Sequence, residues 1–184
     1  MSLEDFYTQP FPTIHLDETY ILREHTMQDA VDFLNYFSRP NAHKFNIASQ
    51  APQTIEESTA EIKYCHDLFY QKKGIYWSIA KISNQQMIGA IGIHTRAPRC
   101  HGEIHYDLDE DYWNKGIMTR ALQKTLHHCF FEKKLESIEA RTLKGNVASI
   151  KVLEKLNFHY TRTIANYPSF NGKTYDIEVY ELNS

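Results

Sequence analysis

A chain of 184 residues with 42% hydrophobic and 23% charged side chains accommodates one packed domain. That composition excludes two full catalytic domains and disorder over most of the length. Its 20 basic and 23 acidic residues leave a net charge of -3, against a nucleic-acid partner, which demands a clustered basic face.

Residues 1–18 read as an irregular arm holding Pro10 and Pro12, and residues 19–184 as a single domain. A short strand over Thr19–Glu24 precedes Thr26-Met27-Gln28-Asp29, which has capping-box spacing, and an apolar stripe at Met27, Ala30, Val31, Leu34 and Phe37 that Pro40 closes. The same cap recurs at Thr54-Ile55-Glu56-Glu57 and opens a helix to about Tyr70. Three β-rich runs follow, Ile75–Ile82, Met87–His94 and Glu103–Leu108, which read as an antiparallel meander. A helix over about Lys115–Glu132, a strand at Ser137–Leu143, a helix at Val147–Leu156 capped by Asn146, and strands near Phe158–Ile164 and Lys173–Leu182 complete the order. This succession predicts an α+β, or mixed α/β, domain on one twisted sheet.

Cys65, Cys100 and Cys129 are far apart and form no Cys-x-x-Cys pair, so no disulfide framework or zinc site is expected and a reducing compartment is the simplest reading. His127 and His128 are adjacent on a helix and do not converge on one metal. No basic, apolar leader opens the chain, and no apolar run approaches the roughly 20 residues that span a bilayer. The expectation is a soluble cytoplasmic protein with no membrane partner and no metal.

Chemistry concentrates after the third run of the meander. Along Glu103–Leu108 the side chains alternate, with Ile104, Tyr106 and Leu108 on one side and Glu103, His105 and Asp107 on the other. Asp109-Glu110-Asp111 reads as a solvated turn, and Trp113-Asn114-Lys115-Gly116 then leads into a helix. Helix N-termini expose unpaired N–H groups that bind phosphate, and a glycine there leaves room for close approach. By itself this glycine is an ordinary helix start, and neither the G-x-x-x-x-G-K-[ST] loop nor the G-x-G-x-x-G fingerprint is present.

The run Tyr112-Trp113-Asn114-Lys115-Gly116-Ile117-Met118-Thr119-Arg120-Ala121-Leu122 resembles the acetyl-CoA-binding segment of the GNAT superfamily of N-acetyltransferases. It is most similar to the RimJ/RimL branch, in which Tyr-Trp-Gly-Lys-Gly-Tyr-Ala-Thr-Glu-Ala-Leu is typical. A second block, Asn146-Val147-Ala148-Ser149 through Glu154-Lys155-Leu156-Asn157-Phe158, resembles that branch's Asn-x-x-Ser followed by Glu-Lys-x-Gly-Phe. Two blocks in order are far more specific than one. The resemblance implies a single GNAT-like domain with a twisted, mostly antiparallel sheet of about seven strands and about four helices. It also implies acetyl-CoA as co-substrate, an amine-bearing acceptor that is a protein N-terminus or a small molecule, and relatives among which homodimers are frequent.

Carried over residue by residue, the resemblance assigns the pyrophosphate to the backbone of Trp113, Asn114, Lys115, Gly116, Ile117, Met118 and Thr119. The strand edge at Tyr106, Asp107 and Leu108 offers backbone groups to the pantetheine amides, and Asn146 and Ser149 attend the pantetheine arm and the sulfur. Glu103 is the leading base, His105 competes because it titrates nearer neutrality, and both also fit plain decoration of a solvated strand face. His101 is less favoured, at the strand's edge. The family attacks the thioester directly, so none of the cysteines is needed as a nucleophile. Three departures stand out: Met118 replaces a small residue beside the phosphates, Asn157 replaces a glycine, and Leu153 replaces the Tyr that is a general acid in many members. Without that Tyr, thiolate protonation falls to Ser149 or to solvent. Leu153 and Met118 also motivate a second reading, a non-catalytic acyl-CoA-binding module acting through a protein partner. The acceptor groove is expected between about Asn41–Gln53 and Asn166–Lys173, with His43, Phe45, Tyr167 and Phe170.

Overall fold

In the computed structural model, which describes residues 7–39, 41, 44–45, 51–96, 100–132 and 135–184, the alternating runs pair into one open sheet. Its strands are β1 (Ile14–His15), β2 (Tyr20–Glu24), β3 (Gly74–Lys81), β4 (Met87–Arg96), β5 (His101–Leu108), β6 (Ser137–Leu143), β7 (His159–Pro168) and β8 (Thr174–Asn183). The spatial order is β1-β2-β3-β4-β5-β6-β8-β7, and every neighbouring pair is antiparallel except β5 and β6. Antiparallel neighbours need only a tight turn, whereas a parallel pair needs a crossover. The helix α3 (Ile117–His127) supplies it. The other helices are α1 (Asp29–Phe37), α2 (Ile55–Tyr70) and α4 (Val147–Lys155).

Alternation divides the core between the two faces of the sheet. Trp77, Ile91, Ile104, Leu122, Ile138 and Leu153 belong to one apolar cluster under α3 and α4. A smaller cluster joins Phe33, Tyr36, Phe37, Ile62, Met87 and Ala90 under α1 and α2. Trp77 is fully buried, and its indole N–H donates to the Pro12 carbonyl at 2.8 Å. Tyr7 and Phe11 pack on Phe69, so the described part of the arm is folded onto the domain, and Ile14–His15 adds an eighth strand to the seven expected.

Helix ends show what the capping signals meant. Thr54 accepts the Glu57 N–H at 3.2 Å, while the Glu57 carboxylate reaches one residue further back, to the Gln53 N–H at 2.7 Å. At α1 the reciprocal half of the box is made: Asp29 accepts the Thr26 N–H at 2.9 Å, and the helix starts at Asp29. Pro40 lies outside the described residues. The helix expected over 115–132 starts at Ile117, and its last turn, His128–Glu132, opens into a π-helical turn.

Asp29 does more than cap. Its two oxygens take Arg23 at 2.7 and 2.8 Å and the Ser78 hydroxyl at 2.8 Å, tying β2, β3 and α1 together. Burial pushes its pKa upward, but the Arg23 guanidinium and the Thr26 N–H hold it below the usual carboxylate range. Next to it, burial lowers the His25 pKa to about 4, so the imidazole is neutral, with Nδ1 2.6 Å from Ser78 Oγ. Removing a buried charge from a satisfied pair strands its partners at a cost of about 3–5 kcal/mol. Asp29→Ala is therefore expected to lower unfolding free energy by about that amount in urea titration. A loss below about 1 kcal/mol would show the clasp to be peripheral.

Candidate functional site

The site starts from a break in pairing. β5 is bonded to β4 along its whole length, from Arg96↔His101 to Gly89↔Leu108, and β6 is bonded to β8 from Ser137 to Leu143. Between β5 and β6 the ladder stops at Ile104↔Ala140, so the second halves of the two strands diverge. Hydrogen-bond alternation is fixed at one end by Asp109 N–H to Ile88 C=O and at the other by Glu136 N–H to Cys100 C=O. It turns the backbones of Tyr106 and Leu108 into this opening. The backbone of Asp107 faces β4 instead, which corrects its assignment as an edge contact: successive residues of a strand point their amides to opposite neighbours. The Leu108 carbonyl is partly committed as well, accepting the Trp113 indole N–H at 2.7 Å.

At the end of β5 the chain turns through a 3-10 segment, Glu110–Tyr112, and then two left-handed residues, Asn114 (φ 59°) and Gly116 (φ 70°). This geometry aims residues 114–119 at the start of α3, where no side chain caps the helix. Asn114, Lys115 and Gly116 are exposed, and Lys115 Nζ rests 5.2 Å from the centre of the Tyr112 ring. Ile117 and Met118 carry free helix-start N–H groups while their side chains are buried in the core under α3. Met118 therefore does not narrow the approach to the loop, because its position on the helix faces the sheet. Asp109 is buried rather than solvated, held by Arg39 at 2.9 Å, and Arg39 also takes Asp111 at 2.8 Å. The acidic run is drawn away from the loop by that guanidinium.

On the α1/α2 face, Glu103 is 7% exposed, which removes the reading of it as decoration of a solvated strand. It pairs with Glu139 of β6 one step before the ladder ends. His105 Nε2 is 3.7 Å and Arg141 Nε 3.5 Å from its carboxylate; Arg141 also binds Glu139 at 2.7 Å, and Glu139 binds Arg162 at 2.9 Å. Two cations thus balance two carboxylates beside the opening. His105 in turn packs against Tyr76 and His94, with the His94 and His105 rings 5.3 Å apart. Gly92 makes this cluster possible, since a Cβ there would lie 2.2 Å from the Tyr76 ring. Asp107, further along, accepts the Tyr36 hydroxyl at 2.6 Å. Its carboxyl is structural, and burial raises its pKa to about 6 against the lowering effect of that bond and of the Ala90 N–H.

On the α3/α4 face, the Tyr106 ring extends across the opening until its hydroxyl lies 2.6 Å from Ser149 Oγ. Asn146 caps α4 with Oδ1 accepting the Ser149 N–H at 3.3 Å, so the structural role read for it is realised. Leu153 is fully buried and offers no proton. The Tyr106–Ser149 contact joins two elements about forty residues apart, and nothing in either local pattern signals it. The pairing of Glu103 with Arg141 is equally silent in the sequence, since it follows from the β5/β6 register.

Beyond the end of β6 a cleft of about 490 Å³ is lined by Lys44, Phe45, Leu143, Lys144, Tyr175 and Asp176 among others. Of the groove stretch expected from the sequence, Lys44 and Phe45 line it among the described residues. Tyr167 and Phe170 lie on the β7–β8 hairpin, and His43 lies outside the described residues. Cys100, His101 and Glu136 bring potential ligand atoms within 4.8 Å of one another, but they sit at the opposite end of β5 from the opening. No helix among the described residues is long and apolar enough to cross a membrane.

The family model for the acetyltransferase (GNAT) domain matches residues 20–159. The uncharacterized N-acetyltransferase YoaA of Bacillus subtilis is 29% identical over 173 residues, covering 94% of this chain and 97% of that protein. The ribosomal-protein-S5-alanine acetyltransferase of Vibrio fischeri superposes with a TM-score of 0.80 at 26% identity, over 94% of this chain and 96% of that one. The ribosomal L7/L12 alpha-N-protein acetyltransferase RimL, solved in complex with coenzyme A, shares the fold at 19% identity with a TM-score of 0.82, over 94% and 98% of the two chains.

The Asp107 carboxyl gives a pH test of this geometry. Its folded pKa lies above the unfolded value of 3.8, so the folded chain holds an extra proton between about pH 4 and 6. The group favours the fold below that window and loses this contribution as pH rises through it. Asp107→Asn keeps an acceptor for Tyr36 but cannot ionise. The melting temperature of the native chain minus that of the variant is expected to fall from about pH 4 to pH 6 and level off above. A difference that rises across the window would refute the burial of this carboxylate.

Proposed function

We infer the reaction from the premise that this chain belongs to the family of the acetyltransferase (GNAT) domain and is an acetyl-CoA-dependent N-acetyltransferase. The acetyl group goes to a primary amine, on a protein N-terminus or a small molecule, by direct attack while both substrates are bound. The observation that carries this reading is the divergence of β5 and β6 after Ile104↔Ala140, ending at an uncapped helix start. A pantetheine arm fits that wedge as a partial extra strand on the β5 edge, with its amides meeting the Tyr106 and Leu108 backbones. A pyrophosphate fits the exposed turn at Asn114–Thr119, where free N–H groups and the helix dipole converge and Gly116 presents no side chain. The residues present therefore suit acetyl-CoA.

Glu103 is our choice of base. It is shielded from bulk water, stands at the closed end of the wedge, and is oriented by Arg141 and His105. An ammonium arriving from the α1/α2 face would yield its proton to Glu103, directly or through one water, and the amine would attack the carbonyl. His105, with 46% of its side chain exposed, serves better as a path from Glu103 to solvent than as the base. Ser149 faces the wedge from the other side, which supports its assignment beside the departing sulfur. The cleft at Phe45, Leu143 and Tyr175 opens at the wide end of β6, and we assign the acceptor body to it. A cytoplasmic setting agrees with three free cysteines.

Two measurements test this function. Acetyl-CoA and CoA, but not ATP or NAD, are expected to raise the melting temperature, and Gly116→Val is expected to abolish most of that rise because its side chain is strained at φ 70°. Glu103→Gln is expected to lower kcat by about 10²- to 10⁴-fold in an amine panel followed by thiol release, with CoA affinity kept. No stabilisation by either CoA species would overturn the cofactor assignment. Tight binding without turnover on any amine would favour a non-catalytic acyl-CoA module.

A further inference from the structure

The two hydroxyls at the wedge, Tyr106 on β5 and Ser149 on α4, meet at 2.6 Å. Tyr106 is partly buried against the apolar cluster under α3 and α4, and burial raises its pKa to about 12, countered in part by the Ser149 bond. The phenol thus stays protonated across any working pH. A phenol is a better donor and a poorer acceptor than an alkyl hydroxyl. Ser149 Oγ carries one hydrogen and two lone pairs, so it can accept from the phenol and still donate elsewhere.

We propose that Tyr106 is a positioning residue for acetyl transfer: its O–H donates to Ser149 Oγ and so directs the Ser149 hydrogen into the wedge, toward the sulfur that leaves. This rests on the assignment of Ser149 beside the thioester. In the step itself, the amine nitrogen forms its bond to the carbonyl carbon and the C–S bond breaks with its electron pair on sulfur. Glu103 passes the ammonium proton to solvent by way of His105 before attack and takes the surplus amine proton after it, and CoA departs as a thiolate that accepts the Ser149 hydrogen bond and is protonated from solvent on release. Tyr106 gives up no proton. It polarises and aims the serine, and its hydroxyl takes over part of the duty of the phenol that Leu153 replaces, from the opposite wall of the wedge.

The test is the thiol pKa of CoA bound to the full chain, read from ultraviolet thiolate absorbance against pH with the desulfo-CoA complex subtracted. Tyr106→Phe and Ser149→Ala are each expected to raise that pKa by about one unit, and the double variant is expected to match Ser149→Ala alone, because Tyr106 acts only through the serine. Ser149→Thr, which keeps a hydroxyl, is expected to retain the native value, and adding Tyr106→Phe to it to lose that value, which covers the case in which one variant folds poorly. With saturating amine, kcat for Tyr106→Phe is expected to fall about tenfold, the effect of one neutral hydrogen bond, with KM for acetyl-CoA within about threefold. A raised thiol pKa in Ser149→Ala but not in Tyr106→Phe would overturn the role of Tyr106. No change in either would remove Ser149 itself from the sulfur, and losses in Tyr106→Phe that track melting temperature alone would reduce Tyr106 to packing.

Discussion

Everything at the site depends on one incomplete ladder. β5 and β6 are each saturated on their outer sides, by β4 and β8, and their common edge is bonded only as far as Ile104↔Ala140. A continuous ladder would leave no backbone donors or acceptors at Tyr106 and Leu108 and no gap between the two faces. The opening creates unsatisfied strand edge inside a folded domain, normally a cost that a protein covers. Here the edge is left beside an uncapped helix start, and the ligand we propose, with amides and a pyrophosphate, would satisfy both.

The wedge also separates the chemistry by face. The α1/α2 side carries Glu103, His105, Arg141 and Glu139, charged groups able to accept and balance a proton. The α3/α4 side carries Tyr106 and Ser149, neutral hydroxyls suited to a leaving anion. This division follows from strand alternation alone: residues 103 and 106 of one strand cannot point the same way. The proposed base and the proposed leaving-group partner are thereby kept on separate faces of the sheet.

Substitutions that look like losses in the primary structure are accommodated in three dimensions. Leu153 completes the core beneath α4, and Met118 packs beneath α3, so neither side chain enters the wedge. Arg39 pulls Asp109 and Asp111 toward α1, which keeps those two carboxylates from facing the turn proposed to take the pyrophosphate. Even Gly92 serves the site indirectly, by yielding space to the Tyr76 ring that backs His105.

The sequence by itself determined seven of the eight strands, the helices, their order, the alternation of β5 and the glycine before the helix that follows it, because these depend on local periodicity and capping chemistry that neighbouring residues encode. It also determined that Glu103, His105 and Asp107 share a face. It left open which of them is shielded, and it read the arm as irregular and the acidic run as solvated, although Pro12 holds Trp77 and Arg39 buries Asp109. Only the tertiary structure decided where the β5/β6 ladder stops, which carboxylate meets Arg141, and that Tyr106 reaches Ser149. Those outcomes hang on the register of a parallel pair joined through a long crossover, and no local pattern carries the register of strands that meet only after the helix between them has folded.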